Sequence, residues 1–166
     1  MNRVDLLLEQ FASVRRYTNM ALSSIRDEDW FRVAEGSPTH FAWQVGHMAL
    51  GQWSLALRVP RGERDSDEQL ISTAFRKQFG RGSIPQFDPT DNPPLTDILA
   101  TFHSVHDKVL EEVPAFSETL FDEPAEVEHP MFQTKFGSLL WSVQHEFTHA
   151  GQISLQRRLL GYDIRW

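Results

Sequence analysis

Four long stretches of the chain carry an apolar residue every three or four positions, the spacing of one face of an α-helix. They run from about Asn2 to Ile25, from Pro38 to about Leu57, from after Asn92 to about Val113, and from Gly137 to Leu160. No stretch shows the strict alternation of a half-buried strand, and two Pro-containing connections separate the later stretches. This pattern predicts an all-α fold, a four-helix bundle with long crossover connections.

Several residues suggest where the helices begin and end. Ser37 is suited to cap the second helix with Pro38 in its first turn, and Ser138 is suited to cap the fourth. A short helix is expected from Asp67 to Phe79. The segment 80–94 is expected to be a long loop, because its prolines recur every few residues.

Length and composition exclude several classes of protein. A chain of 166 residues suits one domain, 1–166, with a single core. The net charge of −7 argues against nucleic acid or an anionic membrane as a partner, and no apolar run could span a bilayer. The first residues lack the design of a signal peptide, so we expect a cytoplasmic protein. The chain has no cysteine, which excludes a Cys-ligated metal site and a catalytic thiol of its own.

The fourth helical stretch contains the segment His145-Glu146-Phe147-Thr148-His149. Two histidines four residues apart leave the same face of a helix, one turn apart, as two ligands of one metal ion require. The segment also matches the zinc-protease pattern, in which the Glu is the general base. Those proteases take a third ligand downstream, and the chain offers no His or Glu after His149. A third ligand must therefore come from an earlier helix.

His47 is the best candidate, because it lies in the middle of a helix that is apolar on most of its circumference. A buried imidazole is costly unless something satisfies it. For His47 alone, a hydrogen bond to a neighbour would suffice, and for His145 and His149 alone, exposure on a helix surface would suffice. Taken together, the three favour a metal site between the second and fourth helices.

At this point the chain resembles the DinB-like (YfiT-related) superfamily of four-helix-bundle proteins. The resemblance rests on Gly46-His47-Met48-Ala49, on the segment from His145 to Ile153 with its Gly151-Gln152, and on the terminal Arg158-Leu159-Leu160-Gly161. The loop Phe79-Gly80-Arg81-Gly82 before the third helix also matches. The resemblance implies one divalent metal ion held by His47, His145 and His149.

Three imidazoles leave a coordination position open, as in a catalytic site. Zinc or nickel are the first candidates for the ion, although copper and iron also accept imidazole. Either bound water attacks an electrophile, giving a hydrolase, or an exogenous low-molecular-weight thiol attacks, as the resemblance implies for a thiol S-transferase. In both cases the partner is a small-molecule substrate. Glu146 is a candidate general base, although it lies about 100° around the helix from His145.

Five further residues are expected to line the pocket, because they fall on or near the stripes that carry the ligands: His40, Trp43, Ser54, Trp141 and Gln152. Outward apolar residues favour a homodimer. The alternative to an enzyme is a non-catalytic, metal-binding helical dimerisation module.

Overall fold

The computed structural model describes residues 2–163, and no β-strand occurs within them. The helices, in chain order, are α1 (Arg3–Leu22), α2 (Phe41–Gln52), α3 (Val59–Arg61), α4 (Asp67–Leu70), α5 (Thr73–Phe79), α6 (Leu95–Glu112), α7 (Glu118–Asp122) and α8 (Lys135–Leu159). A π-helical segment, Trp53–Arg58, connects α2 to α3, and short 3-10 turns occupy Asp27–Asp29, Pro89–Asp91 and Val113–Ala115. The all-α fold predicted from the apolar spacing is confirmed.

Two helix starts differ from the prediction. The second helix begins after His40 rather than at Pro38, because the His40 ring accepts the Trp43 backbone N–H and so satisfies a free donor of the first turn. The fourth helix begins after Thr134, whose hydroxyl oxygen accepts the Gly137 N–H at 3.1 Å. Ser138 lies inside α8, buried, and donates to the Leu55 carbonyl at 2.7 Å.

The predicted helix 67–79 is interrupted, whereas the predicted loop 80–94 is confirmed. The expected helix from Asp67 to Phe79 is divided into α4 and α5, because Ser72 caps a new helix by accepting the Phe75 N–H. Segment 80–94 contains only the short turn Pro89–Asp91 as regular structure, as its prolines indicate.

One apolar core fixes the relative positions of the long helices. α2 packs against α6 and α8, and α8 also packs against α1. Phe11, Phe41, Met48, Phe102 and Ile153, contributed by these four helices, are all at most 1% exposed. Burial of each such side chain stabilises the fold by roughly 1.5–3 kcal/mol. This packing holds the His47 face of α2 against the His145 face of α8.

The sequence predicts that no apolar run could span a bilayer, and the lengths and hydropathy of the helices bear on this prediction. Within residues 2–163, none of the helices combines the length and the apolar character needed to cross a bilayer.

Candidate metal centre

The rings of His47, His145 and His149, here called the ring cluster, converge between α2 and α8. One ring nitrogen from each residue lies within 4.8 Å of the others, and the Nε2 atoms of His145 and His149 are 3.2 Å apart. Nitrogen ligands about 2.0–2.1 Å from a tetrahedral ion are about 3.3 Å from one another. A small contraction of the ring cluster would therefore be enough to coordinate one ion.

In two of the three rings, Nδ1 is hydrogen-bonded to an oxygen acceptor outside the ring cluster. His47 Nδ1 lies 2.7 Å from the Phe79 carbonyl oxygen, and His149 Nδ1 contacts Gln44 Oε1. Because both oxygens only accept, each Nδ1 carries the proton and each Nε2 presents a lone pair to the cluster. Metal-ligating histidines usually have such an outer hydrogen bond, which fixes the tautomer and the ring orientation.

His145 differs from the other two rings, because its position depends on the room left by a neighbouring glycine and not on a hydrogen bond to Nδ1. Its Nδ1 is buried and has no hydrogen-bond partner among the described residues. The ring lies directly against Gly51, where a Cβ atom would be 2.5 Å from the ring carbon Cε1. Only a glycine at position 51 therefore leaves the His145 ring in its present place.

All three rings are half-buried, and burial lowers the pKa of each. The pKa of His145 falls to about 3 and that of His149 to about 4, with the neighbouring histidines adding to the effect of burial. The rings are thus neutral at pH 7, the form in which imidazole binds a metal. Neutral nitrogen lone pairs directed at one another repel unless a cation or a proton lies between them, and this donor set fits a divalent ion.

A second layer of contacts ties α2 to the loop 80–94. Trp43 stacks on His47 with ring centroids 4.7 Å apart and planes at 8°, and its Nε1–H donates to the Ser83 hydroxyl. His40 donates from Nε2 to the Gln86 carbonyl at 2.9 Å. His40 was predicted to line the pocket, but it is fully buried as the cap of α2 and holds this loop instead.

A cavity of about 760 Å³ borders the ring cluster on the side of His47, Gly51 and His145. Ser54 and Trp141, two of the residues expected to line a pocket, lie on its wall. Trp43 and Gln152 are not among its lining residues. Trp43 stacks on the His47 ring, and Gln152 is exposed on the next turn of α8 after His149, whose pKa it tends to raise.

Glu146 lies in a different environment from its neighbour His145. Glu146 is 2% exposed, and its carboxylate accepts from Arg15, with Nε to Oε1 at 2.9 Å and Nη2 to Oε2 at 3.2 Å. Arg15 also donates to Gln52 Oε1 at 2.9 Å, and Gln52 Nε2 donates to His106 Nδ1 at 3.1 Å. We call Arg15, Gln52, His106 and Glu146 the ion-pair network.

The ion-pair network corrects the prediction of a general base at Glu146. Both carboxylate oxygens are engaged by a guanidinium inside the core, so neither is available to take a proton from a molecule in the cavity. The expected 100° rotation away from His145 is the physical reason, because it directs Glu146 toward α1.

Several residues that form the site could not be identified from the sequence. Gln44 was unremarkable within an apolar helix, and its role follows only from its contact with His149. The carbonyl of Phe79 carries no side-chain signal. His129, Arg58 and Arg81 border the cavity although they lie far apart in the sequence. Gly51, one turn after His47, is the one position in the site whose residue type suggests the close approach of another side chain.

Two comparisons with known proteins bear on this site. A family described as the DinB superfamily matches residues 10–153, which include all three rings of the cluster. A search of curated proteins finds no match to the chain.

Proposed function

Because the chain belongs to the DinB superfamily, we propose that it is a divalent-metal-dependent enzyme that acts on a small molecule, and specifically a thiol S-transferase. The observation that supports this most strongly is the convergence of three neutral imidazoles beside an open cavity. His47, His145 and His149 would hold the ion. When bound, a divalent ion supplies Lewis acidity, which lowers the pKa of a thiol or water at its free coordination position.

Two features favour transfer of a thiol over hydrolysis. The only carboxylate of the His-Glu-x-x-His segment is paired with Arg15, so water attack lacks the general base that zinc proteases use. A thiol ionises far more readily than water and needs no such base. In the proposed reaction, the thiol proton goes to solvent, a bond forms from sulfur to an electrophilic carbon, and the leaving group departs with its electron pair.

The residues of the chain would orient these reactants. Trp43 and Gln44 would keep the His47 and His149 rings in position. The sulfur must come from a separate molecule, because the chain contains no cysteine.

The test is to incubate zinc- or nickel-loaded protein with a panel of low-molecular-weight thiols and an activated aryl chloride. Thiol consumption should require the metal and should be lost in His145→Ala. A parallel panel of esters and amides tests hydrolysis. Metal-dependent turnover of esters alone would replace the transferase with a hydrolase, and metal binding without turnover in either panel would favour a non-catalytic dimerisation module.

We also propose the finer architecture predicted from the sequence. The packing of α1 against α8 and of α2 against both α6 and α8 supports a four-helix bundle with two crossover connections, formed by one domain over 1–166. Exposed apolar side chains on α1 and α8 support a homodimer: Met20, Phe147, Leu155 and Leu159. Size-exclusion chromatography with light scattering would test the dimer.

A further inference from the structure

The cavity beside the ring cluster carries an excess of positive charge. Three arginines line it, Arg58, Arg76 and Arg81, together with a single carboxylate, Glu63. Arg76 contacts Glu63 at 2.5 Å, so these two charges cancel. Within residues 2–163, no carboxylate lies within ion-pair distance of Arg58 or Arg81. A chain with a net charge of −7 thus places two uncompensated guanidinium groups around this one cavity.

Arg58 is positioned by the backbone and by its neighbours. Its Nη2 donates to the Ser54 hydroxyl at 3.1 Å, and its guanidinium lies 5.8 Å from the centre of the Trp53 ring. The Val59 N–H bonds to the Ser54 carbonyl, which identifies the wider π-helical turn. Single π-helical turns occur frequently at functional sites. This turn contributes Trp53, Ser54, Leu55 and Arg58 to the cavity wall.

Arg81 reaches the cavity from the loop 80–94. The chain on either side of it is tied to α2, by the Phe79 carbonyl to His47 and by the Ser83 hydroxyl to Trp43. The same contacts that orient the metal ligands therefore also place this exposed arginine at the cavity.

The remaining wall is largely apolar and is formed by Leu50, Leu55, Met131 and Trp141. Apolar walls with a few charged groups are typical of a small-molecule site. Guanidinium groups recognise carboxylates through paired N–H donors, so they select for charge and for planar shape together.

We propose that this cavity binds a small organic carboxylate, with Arg58 and Arg81 as the groups that recognise its charge and the apolar wall in contact with its body. In the proposed thiol transfer, the carboxylate is carried by the thiol or by its electrophilic partner. Only this assignment to a substrate rests on the proposed function, because binding of the carboxylate does not require turnover.

The experiment compares matched acids and amides by calorimetry, with and without bound zinc. One pair is 3-mercaptopropanoate and 3-mercaptopropanamide, and the other is 3-phenylpropanoate and 3-phenylpropanamide. A charged group recognised by arginine should make the acid bind about 10-fold or more tightly than its amide in at least one pair. The pair that shows the preference identifies whether the thiol or the thiol-free molecule carries the carboxylate.

Two double variants distinguish the effect of the cavity arginines on the preference for the acid from the effect of the protein's net charge. Arg58→Gln with Arg81→Gln should reduce the preference below about 3-fold, an expectation from losing both charge-assisted contacts. Arg16→Gln with Arg158→Gln makes the same change in net charge at exposed positions outside the cavity and should leave the preference intact. Arg58→Lys keeps the charge without the planar fork and should show an intermediate preference.

Equal affinity for acid and amide in both pairs, or no binding by any of the four compounds, would overturn the proposal. So would a preference that survives the Arg58 and Arg81 double variant with unchanged helical content. If the preference is observed but no thiol is consumed, the carboxylate site stands and the transferase proposal fails.

Discussion

The ring cluster and the ion-pair network begin at adjacent residues of the same two helices but are built in opposite ways. His145 belongs to the first and packs against Gly51, whereas Gln52 and Glu146 belong to the second. In the ion-pair network, each charge has an opposite charge beside it and lies in the core. In the ring cluster, neutral nitrogens converge on one another and border a cavity. One polar region is complete without a ligand, whereas the other presents three nitrogen donors that fit a divalent cation.

From this difference we expect the network to serve the stability of the fold and the ring cluster to serve the binding of a metal ion. A buried ion pair is destabilising to break, because the remaining charge stays buried without a partner. Removing one ring from the cluster leaves no buried charge behind. Substitutions in the network should therefore change stability, and substitutions around the ring cluster should change metal affinity.

The largest effect is expected for Arg15→Met, which leaves the Glu146 carboxylate buried and unpaired. We expect the free energy of unfolding in urea to fall by about 3–5 kcal/mol. Arg16→Met is the matched control, since Arg16 is the exposed neighbour and its change should stay within about 0.5 kcal/mol. Equal losses in the two variants would show that the network does not stabilise the fold.

Two buried glutamines of α2 give the sharpest form of the comparison. Gln44 and Gln52 are each 2% exposed, but the first contacts His149 and the second contacts Arg15. Gln44→Leu should weaken zinc binding by about 10- to 100-fold, because His149 loses its outer hydrogen bond. Gln52→Leu should lower stability without changing zinc affinity. Zinc titration and urea unfolding of both variants would test this, and a reversed pattern would contradict the division of roles.

The variant Gly51→Ala tests whether zinc binding by the ring cluster requires the absence of a side chain at position 51 of α2. Its methyl group would lie 2.5 Å from the His145 ring, so the ring must move and zinc affinity should fall by about 10-fold. Gly151→Ala is the control on α8, because its added Cβ meets no atom within 4 Å. That change should stabilise the helix by up to about 1 kcal/mol and leave zinc affinity unaltered.

The smallest expected effect is the pH dependence of folding stability that arises from His106 in the ion-pair network. Burial, together with the nearby Arg15 cation and His103, lowers the pKa of His106 to about 3. Because this pKa lies below that of the unfolded chain, about 6.5, the unfolded state binds more protons between these values. The stability supplied by neutral His106 is therefore complete above about pH 6.5 and is lost as the pH falls toward 3.

The metal-free protein should accordingly lose about 1 kcal/mol through His106 between pH 7.5 and 5.5. The variant His106→Asn retains an acceptor for Gln52 but cannot titrate, so its unfolding free energy should fall less over this interval. Urea unfolding at the two pH values measures the difference, and identical pH dependence in wild type and variant would contradict the shift.

The helices show which features of the fold can be predicted from the sequence and which cannot. The apolar spacing predicted the regular part of α1 and α6 because that signal is local. The starts of α2 and α8 were misplaced because several residues compete to cap a helix, and tertiary contacts choose among them. Ser138 was a sound candidate by type, yet its hydroxyl is used by the Leu55 carbonyl of another helix.

The candidate site likewise contains residues that a local pattern predicts and residues that only long-range contacts reveal. The pair His145 and His149 was visible because both lie on one turn of one helix. Glu146 appeared to be a candidate base because its partner, Arg15, lies 131 residues earlier in the sequence. Arg58 and Arg81 meet at one cavity only through a loop that returns along α2. Contacts of this range depend on packing, which residue spacing does not encode.

Binding of one divalent ion by the ring cluster can be measured by metal analysis of untagged protein. Wild-type protein exposed to zinc and then desalted should retain close to one ion per chain, and Glu146→Gln should retain the same amount if it folds. His47→Ala should retain almost none, since loss of a ligand should weaken binding by more than about 100-fold. Full zinc content in folded His47→Ala, or no zinc in the wild type, would show that the three rings do not form a metal site.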